Sequence, residues 1–475
     1  MNGEKAGKPH IHLIGIGGAG LSAIATVLYQ WGYTVSGSDM QSSMMTDLLA
    51  RLGIKVFIGH RAQNLRPEVD AVVVSSAIPA DNPEWQEALR RGIPVFKRAE
   101  WLGKMMAGKT GIALAGTHGK TTTTALTAYL LQEAGQSPSY IIGGYVPQLK
   151  TNAAAGQGDA FVIEADEYDH TFLGFRPNIA AVTTIEWDHP DIFPSPQALQ
   201  ADFEQFVAQV PPDGLVIGCG DDPVVRRVIR HARCRTVTYG LEAENDWQAT
   251  GLRLNEDGGY NFTVLCRDET YRPALAGVEF GLAVPGRHNV RNALAGLIIA
   301  VERGIAPAQA ADIIRRFQGV GRRFELKGEM HGVIVIDDYA HHPTEIRATL
   351  AAARDRFGDR PLWVVFQPHT FSRTAALLDE FAAAFAAADH VIVVDIFPSR
   401  EVDEGRVHSR DIVTRMDHPD ARYIGSLAEA ASDLLERMTP PAVLLTLGAG
   451  DGYKVGEMVL KYLVSSEVMG PENEP

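Results

Sequence analysis

A lysine followed by four threonines closes the stretch Gly111–Thr124, GIALAGTHGKTTTT. Ile112–Leu114 read as a short strand, Gly116 and Gly119 bracket a turn, and Lys120 opens a helix through Leu131. A strand, a glycine turn and a helix start make an anion site, because backbone N–H groups and the positive end of the helix dipole converge on one point. There Lys120 would reach the terminal phosphates of a nucleotide, and the Thr121 hydroxyl is placed to hold Mg2+. Gly116, Thr117, His118, Gly119 and Thr122 complete the expected ATP cradle. Leu114 stands where the common phosphate-loop pattern requires Gly, so the loop is a variant of that pattern.

Two acidic clusters follow. Asp159–Glu164 (DAFVIE) reads as a buried strand that delivers Glu164, Asp166, Glu167 and Asp169 at its end. Ala180–Ile185 reads as the next strand and delivers Glu186, Asp188 and His189. In open parallel sheets ligands bind outside the carboxyl ends of the strands, which puts both clusters beside the phosphate loop. Mg2+ takes oxygen ligands, commonly one or two carboxylates plus substrate phosphates.

A second phosphate-binding pattern lies near the N-terminus. HIHLIGIGGAGLSAIATVLYQWGYTVSGSD reads as strand, glycine turn, helix, strand; Gly15, Gly17 and Gly20 fit GxGxxG, and Asp39 ends the second strand about 20 residues on. Taken alone, this pattern says NAD. The glycines admit any diphosphate, however, and a UDP-sugar carries one too. Further strands at Val56–Ile58, Ala71–Ser75 and Pro94–Phe96 alternate with helical stretches, so a parallel sheet is expected.

The elements that must position these groups fill 475 residues, enough for about three domains at roughly 150 residues each. The net charge of −14 and the lack of a long basic run exclude nucleic acid as an expected partner. The expected ligands are themselves anionic, so helix starts, Lys120, selected arginines and Mg2+ must attract them locally. Cys219, Cys234 and Cys266 show no CxxC spacing and suit a reducing compartment. Neither a signal peptide nor an apolar run of the ~18 residues a membrane span needs is visible, so the expected location is the cytoplasm.

Helical and strand patterns continue through Asp202–Val210, Leu215–Ile217 and Thr236–Tyr239, and residues 246–284 read as short strands with a turn at Gly258-Gly259. PGRHNVRNALAGLIIAVERGI then gives an apolar helix from about Val290; Asn289 and Asn292, three apart, share a face, with Asn289 otherwise readable as the N-cap. VIVIDDYAHHPTEIRATLAAA reads as strand, turn and helix from Pro343 or Thr344, and LWVVFQPHTFSRT, HVIVVDIFPSRE and VLLTLGAGDGYKVGE repeat the strand-ended pattern. Arg373 follows one such strand end and is expected to be exposed, with its fork free for a carboxylate. The tail SSEVMGPENEP is expected to be disordered.

GTHGKTTTT resembles the ATP loop of the Mur ligases, which form amide bonds on cell-wall precursors, and GIGGAGLSAIA with SGSD and VVVSSAIP resembles the UDP-binding domain of the L-alanine-adding branch of that family. The resemblance covers about residues 10–460. It implies an α/β protein of three domains: a Rossmann-like UDP-sugar domain (1–106), a P-loop ATPase-like central domain (107–323) and a Rossmann-like amino-acid domain (324–475). The implied cofactors are ATP and one or two Mg2+ ions, and the implied substrates are UDP-N-acetylmuramate and L-alanine, joined through an acyl phosphate by a monomer or homodimer. Residue by residue, it implies Gly15, Gly17, Gly18, Gly20, Ser38, Asp39, Ser75 and Ser76 at the UDP-sugar. Asn289, Asn292, Arg323 and Asp338 join the ATP site, and Tyr339, His341 and Arg373 line the L-alanine pocket. Glu164 matches a Mg2+ ligand beside Thr121, and His189 a second metal-site residue. His341 is a candidate base for the amine, with a structural or carboxylate-binding role equally open. Sister ligases carry a carbamylated lysine near the metals, whereas this chain has no lysine between Lys150 and Lys327; Asp202 or Glu204 could substitute indirectly. Three rival readings remain at this point: an NAD-binding protein, a ligase that recycles an intact tripeptide onto the same UDP-sugar, and a P-loop switch without ligase chemistry.

Overall fold

The computed structural model describes residues 8–468 and contains three sheets, each flanked by helices. In the first, β1 (His10–Ile14), β2 (Thr34–Asp39), β3 (Lys55–Ile58), β4 (Ala71–Val74) and β5 (Val95–Lys97) run parallel in the order β3-β2-β1-β4-β5. The order reverses between β1 and β4, and the glycine turn after β1 sits at that switch point, where a ligand crevice forms. The helix after the turn, α1 (Ala19–Gln30), buries Leu21, Ile24, Val27 and Leu28.

The central sheet has ten strands. β6 (Thr110–Ala115), β7 (Ser139–Val146), β8 (Thr151–Ala154), β9 (Ala160–Glu164) and β10 (Ile179–Val182) form one half. β11 (Leu215–Cys219), β12 (Arg235–Gly240), β13 (Trp247–Leu254), β14 (Tyr260–Cys266) and β15 (Glu279–Leu282) form the other. The order is β15-β14-β13-β12-β11-β10-β6-β9-β7-β8, parallel at its centre and antiparallel at both ends. β6, β9 and β10 are apolar runs buried almost throughout, as a strand covered on both faces requires. Helices α2 (Lys120–Glu133) and α3 (Arg287–Glu302) pack together on this sheet, and their apolar positions are buried nearly all round.

In the third sheet, β16 (Glu325–Met330), β17 (Val333–Asp338), β18 (Leu362–Phe366), β19 (His390–Val393), β20 (Ala421–Tyr423) and β21 (Ala442–Leu447) take the order β16-β17-β21-β18-β19-β20. Only β16 is antiparallel. Helix α4 (Pro343–Phe357) follows β17 and is capped by His342, whose Nδ1 accepts from the Thr344 N–H.

Several local expectations need correction. Gly143 and Gly144 lie inside β7, where the register to β8 shifts between Ile141 and Val146. β10 stops at Val182, three residues early, because Thr183 and Thr184 turn to bond the phosphate loop. α3 starts at Arg287 with Gly286 as its cap, so Asn289 is a first-turn residue and not the N-cap. Ser465–Val468 of the expected disordered tail belong to the last helix (Tyr453–Val468), and residues 469–475 lie outside the described part. Among the described residues no helix is long and apolar enough to cross a membrane.

Candidate active site

The N-terminal glycine turn is held by the end of β2. Gly15 and Ile16 donate their N–H groups to the Ser38 carbonyl at 2.8 and 3.0 Å, and the Gly17 N–H donates to Asp39 Oδ2 at 2.9 Å. Gly15 has φ +84°, and a Cβ there would lie 3.1 Å from that of Ser75, so Gly15, Gly17, Asp39 and Ser75 meet in one place. Gly18 and Ser76 are exposed beside them. The Ser38 hydroxyl, expected at the UDP-sugar, is instead fully buried; it donates to Glu84 at 2.6 Å and bonds His60 Nδ1 at 3.0 Å, so only its carbonyl serves the turn. Arg98, which the motif gave no reason to select, places Nη1 where a Cβ on Gly20 would be only 2.6 Å away. Its other end bonds Thr171 and lies 3.6 Å from Asp166.

The phosphate loop packs against α3 and the strand that precedes Glu186. A Cβ on Gly116 would fall 2.0 Å from Thr183 Oγ1, and one on Gly119 would fall 2.6 Å from Asn292 Oδ1. Asn292 Nδ2 donates to Asn289 Oδ1 at 3.0 Å, and Asn289 Nδ2 to the Pro285 carbonyl at 2.7 Å, so both amides are fixed at the loop. Thr117 Oγ1 donates to the Glu186 carbonyl. Thr122 is buried at the helix start. Lys120 Nζ donates to both oxygens of Glu167, at 3.0 and 2.8 Å. Burial opposes its charge, but Glu167 and Asp166 outweigh that and hold its pKa above the usual value.

Thr121 Oγ1 donates to Glu164 Oε1 at 2.9 Å, and the Gly143 N–H takes the other carboxylate oxygen at 2.7 Å. Burial raises the Glu164 carboxyl above its usual range despite Lys120. A hydroxyl and a desolvated carboxylate side by side at a phosphate loop fit a hard, oxygen-seeking ion such as Mg2+. His189 lines the same cavity as Glu164 and Asp166, which makes an imidazole and a carboxylate available to a second ion. Asp202 and Glu204 do not take the place of the missing lysine. Asp202 bonds His170, Glu204 lies 3.8 Å from His231, and neither lines the cavity.

From the third sheet, β17 ends in Asp338, which accepts from the Phe324 and Ala340 N–H groups at 2.8 and 2.7 Å. Burial pushes its carboxyl up to about 6, against the pull of Arg323. The Tyr339 ring lies between two guanidinium groups, Arg322 and Arg323, each 5.1 Å from its centroid. His341 Nδ1 donates to the Tyr339 carbonyl at 2.9 Å, which leaves Nε2 as the lone-pair nitrogen. Burial, with Arg373 nearby, lowers its pKa to about 3. Arg373 is not exposed as expected: it is 4% accessible, and its fork is engaged by Asp188 of the central domain, Nε to Oδ1 at 2.7 Å and Nη2 to Oδ2 at 3.3 Å.

One cavity of about 650 Å³ joins these parts. It is lined by Gly20 and Arg98 from the first sheet's domain, Lys120, Thr121, Glu164 and His189 from the second, and Arg323, Tyr339, His341 and Arg373 from the third. A second cavity of about 240 Å³ adjoins it at Gly119, Thr121, Arg323 and Glu345, and is walled by His118, Tyr239, His288, Asn289, Asn292 and Asp338. Of the groups missed in the sequence, Arg98, Arg322 and His288 follow no motif, whereas Asp188 and Glu167 stood in the acidic clusters without a role.

Three family models tile the chain: "Mur ligase family, catalytic domain" at residues 10–110, "Mur ligase middle domain" at 114–300 and "Mur ligase, glutamate ligase domain" at 322–450. The UDP-N-acetylmuramate–L-alanine ligase of Roseiflexus castenholzii is 43% identical over 98% of this chain and 100% of its own length. The ligase of the same name from Roseiflexus sp. is 44% identical over 96% and 99%. Among solved structures, the UDP-N-acetylmuramate–alanine ligase MurC of Thermotoga maritima superposes with a TM-score of 0.78 at 29% identity, covering 96% of this chain and 99% of that one. A murein peptide ligase from Psychrobacter arcticus gives 0.69 at 25% identity, covering 96% and 98%. With its glycine turn, phosphate loop and third-sheet residues facing one cavity and matching family models over all three parts, the chain belongs to the Mur ligase family.

Proposed function

We propose that the protein joins L-alanine to UDP-N-acetylmuramate, with ATP converted to ADP and phosphate, in the synthesis of the peptidoglycan precursor. The observation that carries this reading is the single cavity whose walls run from the glycine turn past Lys120 and Glu164 to Tyr339 and Arg373. The proposed division of labour follows residues 1–106, 107–323 and 324–475, in a cytoplasmic monomer or homodimer.

The glycine turn (Gly15, Gly17, Gly18, Gly20, with Asp39, Ser75 and Ser76) receives the UDP diphosphate, and Arg98 supplies the cation beside it. The substrate carboxylate then attacks the γ-phosphorus, the bond to the β,γ-bridging oxygen breaks, and ADP leaves an acyl phosphate. An anion must approach a highly charged phosphate, so charge compensation is the main physical requirement. Lys120 meets the terminal phosphates, while Asn289, Asn292, Arg323 and Asp338 hold the rest of the nucleotide. Thr121 and Glu164 would hold one Mg2+, and His189 a second. Bound there, the ion supplies positive charge against the phosphate oxygens.

The amine of L-alanine next attacks the activated carbonyl carbon, phosphate departs, and the proton shed by the nitrogen ends on the departing phosphate. Tyr339, His341 and Arg373 line that end of the cavity. With a pKa of about 3, His341 stays neutral and is a weak base. Its Nε2 lone pair is placed to accept from the amine N–H and orient it. The test is ADP formation with UDP-N-acetylmuramate and a panel of L-alanine, L-serine, glycine and an L-alanyl tripeptide. Turnover with L-alanine alone supports the reading; turnover only with the tripeptide selects the recycling ligase. Binding of NAD in place of the UDP-sugar overturns both.

A further inference from the structure

The phosphate-loop histidine is gripped from two domains. His118 Nε2 lies 3.0 Å from Glu186 Oε2, at the end of the β10 segment, and its Nδ1 lies 3.0 Å from Glu345 Oε1, in the first turn of α4. Ionised carboxylates only accept hydrogen bonds, so a neutral imidazole would turn a lone pair toward one of them. Both contacts are satisfied together only by the imidazolium. Glu186 is itself tied across the same seam, and Glu345 is fixed within its own domain. Glu186 Oε1 accepts from Thr344 Oγ1 at 2.8 Å, and Glu345 Oε2 accepts from the His341 N–H at 3.0 Å.

We propose that His118 is a positioning residue: as an imidazolium it clamps Glu345 of the C-terminal domain to Glu186 of the central domain, so that docking of α4 against the phosphate loop depends on one proton. Asp338, Tyr339 and His341 immediately precede α4, so the clamp also sets where the third sheet's site residues stand relative to Lys120. The inference concerns the seam and holds for any acceptor amino acid.

The groups facing His118 leave it as the one that titrates near neutral and mildly alkaline pH. Burial opposes its charge, but Glu186 and Glu345 outweigh it and raise its pKa to about 9. Despite burial, Glu186 is held down at about 2 and Glu345 well below its usual value by their histidine partners. His342, whose ring centroid is 4.8 Å away, is kept neutral by burial and by His118, and burial lowers His288 to about 4. The Arg323 guanidinium lies 3.9 Å from Glu345. A pKa raised on docking means that the contribution is complete below the free imidazole value and is lost as pH rises through about 9.

Small-angle scattering of the full chain between about pH 7 and about pH 10 reads domain docking directly. The wild type should expand with a midpoint near 9. His118→Gln should be expanded and flat across the range, and Glu345→Gln should lower the midpoint by about one unit or more. In parallel, His118→Gln should remove the alkaline limb of the kcat/KM profile for ATP, a change that mere loss of packing does not produce. Should His118→Gln fail to fold by circular dichroism, the Glu345→Gln midpoint decides. A wild type equally compact at both ends of the range, a His118→Gln protein with the wild-type pH response, or an unmoved Glu345→Gln midpoint each overturns the proposal.

Discussion

Arg373 and Asp188 form a two-point ion pair across the seam between the C-terminal and central domains, with both side chains 5% exposed. Removing one partner of such a pair leaves the other charge buried and alone, at a cost of about 3–5 kcal/mol. Asp188→Asn should therefore lower Tm markedly. Arg373→Lys keeps the charge but loses the fork, so it should raise the KM for L-alanine with a smaller change in Tm. Equal rises in KM for all three substrates would assign Arg373 to domain docking alone.

Lys120→Met should abolish ADP formation by roughly 10²-fold or more, as expected for a lost transition-state charge contact. The Lys120–Glu167 pair adds a second effect. Without the lysine, Glu167, 1% exposed, is a carboxylate in a desolvated site. Its folded-state pKa is already raised by burial, so the variant's loss of Tm should be largest near neutral pH and shrink as the pH falls. Near-normal turnover in this variant would remove the ATP-loop assignment.

Glu164→Gln preserves shape and the contact to Thr121 but withdraws the charge facing the metal position. The Mg2+ concentration for half-maximal rate should rise several-fold, while binding of the UDP-sugar, measured by calorimetry, stays unchanged. His189→Ala should lower the rate of acyl-phosphate formation more than nucleotide affinity. Unaltered Mg2+ dependence in both variants would show that the ion sits elsewhere.

His341 gives a pH prediction of definite sign. Burial depresses its folded-state value to about 3 from the usual 6.5, so between those limits the unfolded chain binds a proton that the folded one does not. Its contribution favours folding less and less as pH falls through that window and is constant above it. His341→Gln should flatten the acid side of the Tm profile, and it should leave no missing limb near neutrality in the kcat profile. A wild-type acid limb near pH 6.5 that disappears in His341→Gln would restore the role of general base.

Much of the candidate site's geometry was legible because its parts are contiguous in the sequence. The turn from Gly15 to Gly20, the loop from Gly116 to Thr122 and Glu164 at a strand end each carry their meaning within a few positions. Relationships between distant elements were not legible. By resemblance Ser38 reads as a UDP-sugar contact until Glu84, 46 residues away, claims its hydroxyl. Arg373 reads as an exposed fork until Asp188, 185 residues earlier, fills it. The boundary that slipped at Val182 lies where the chain leaves regular structure to bond the phosphate loop, and a tertiary contact outweighs local propensity there.

The two loop glycines bear on how the protein could escape a drug. Any side chain at Gly116 would collide with Thr183 and the Thr184 backbone, and any at Gly119 with Asn292. An inhibitor that takes its affinity from the main-chain amides of these two glycines would rest where no side chain can be introduced. Resistance by point mutation at that contact would have to rebuild the turn proposed to bind the nucleotide.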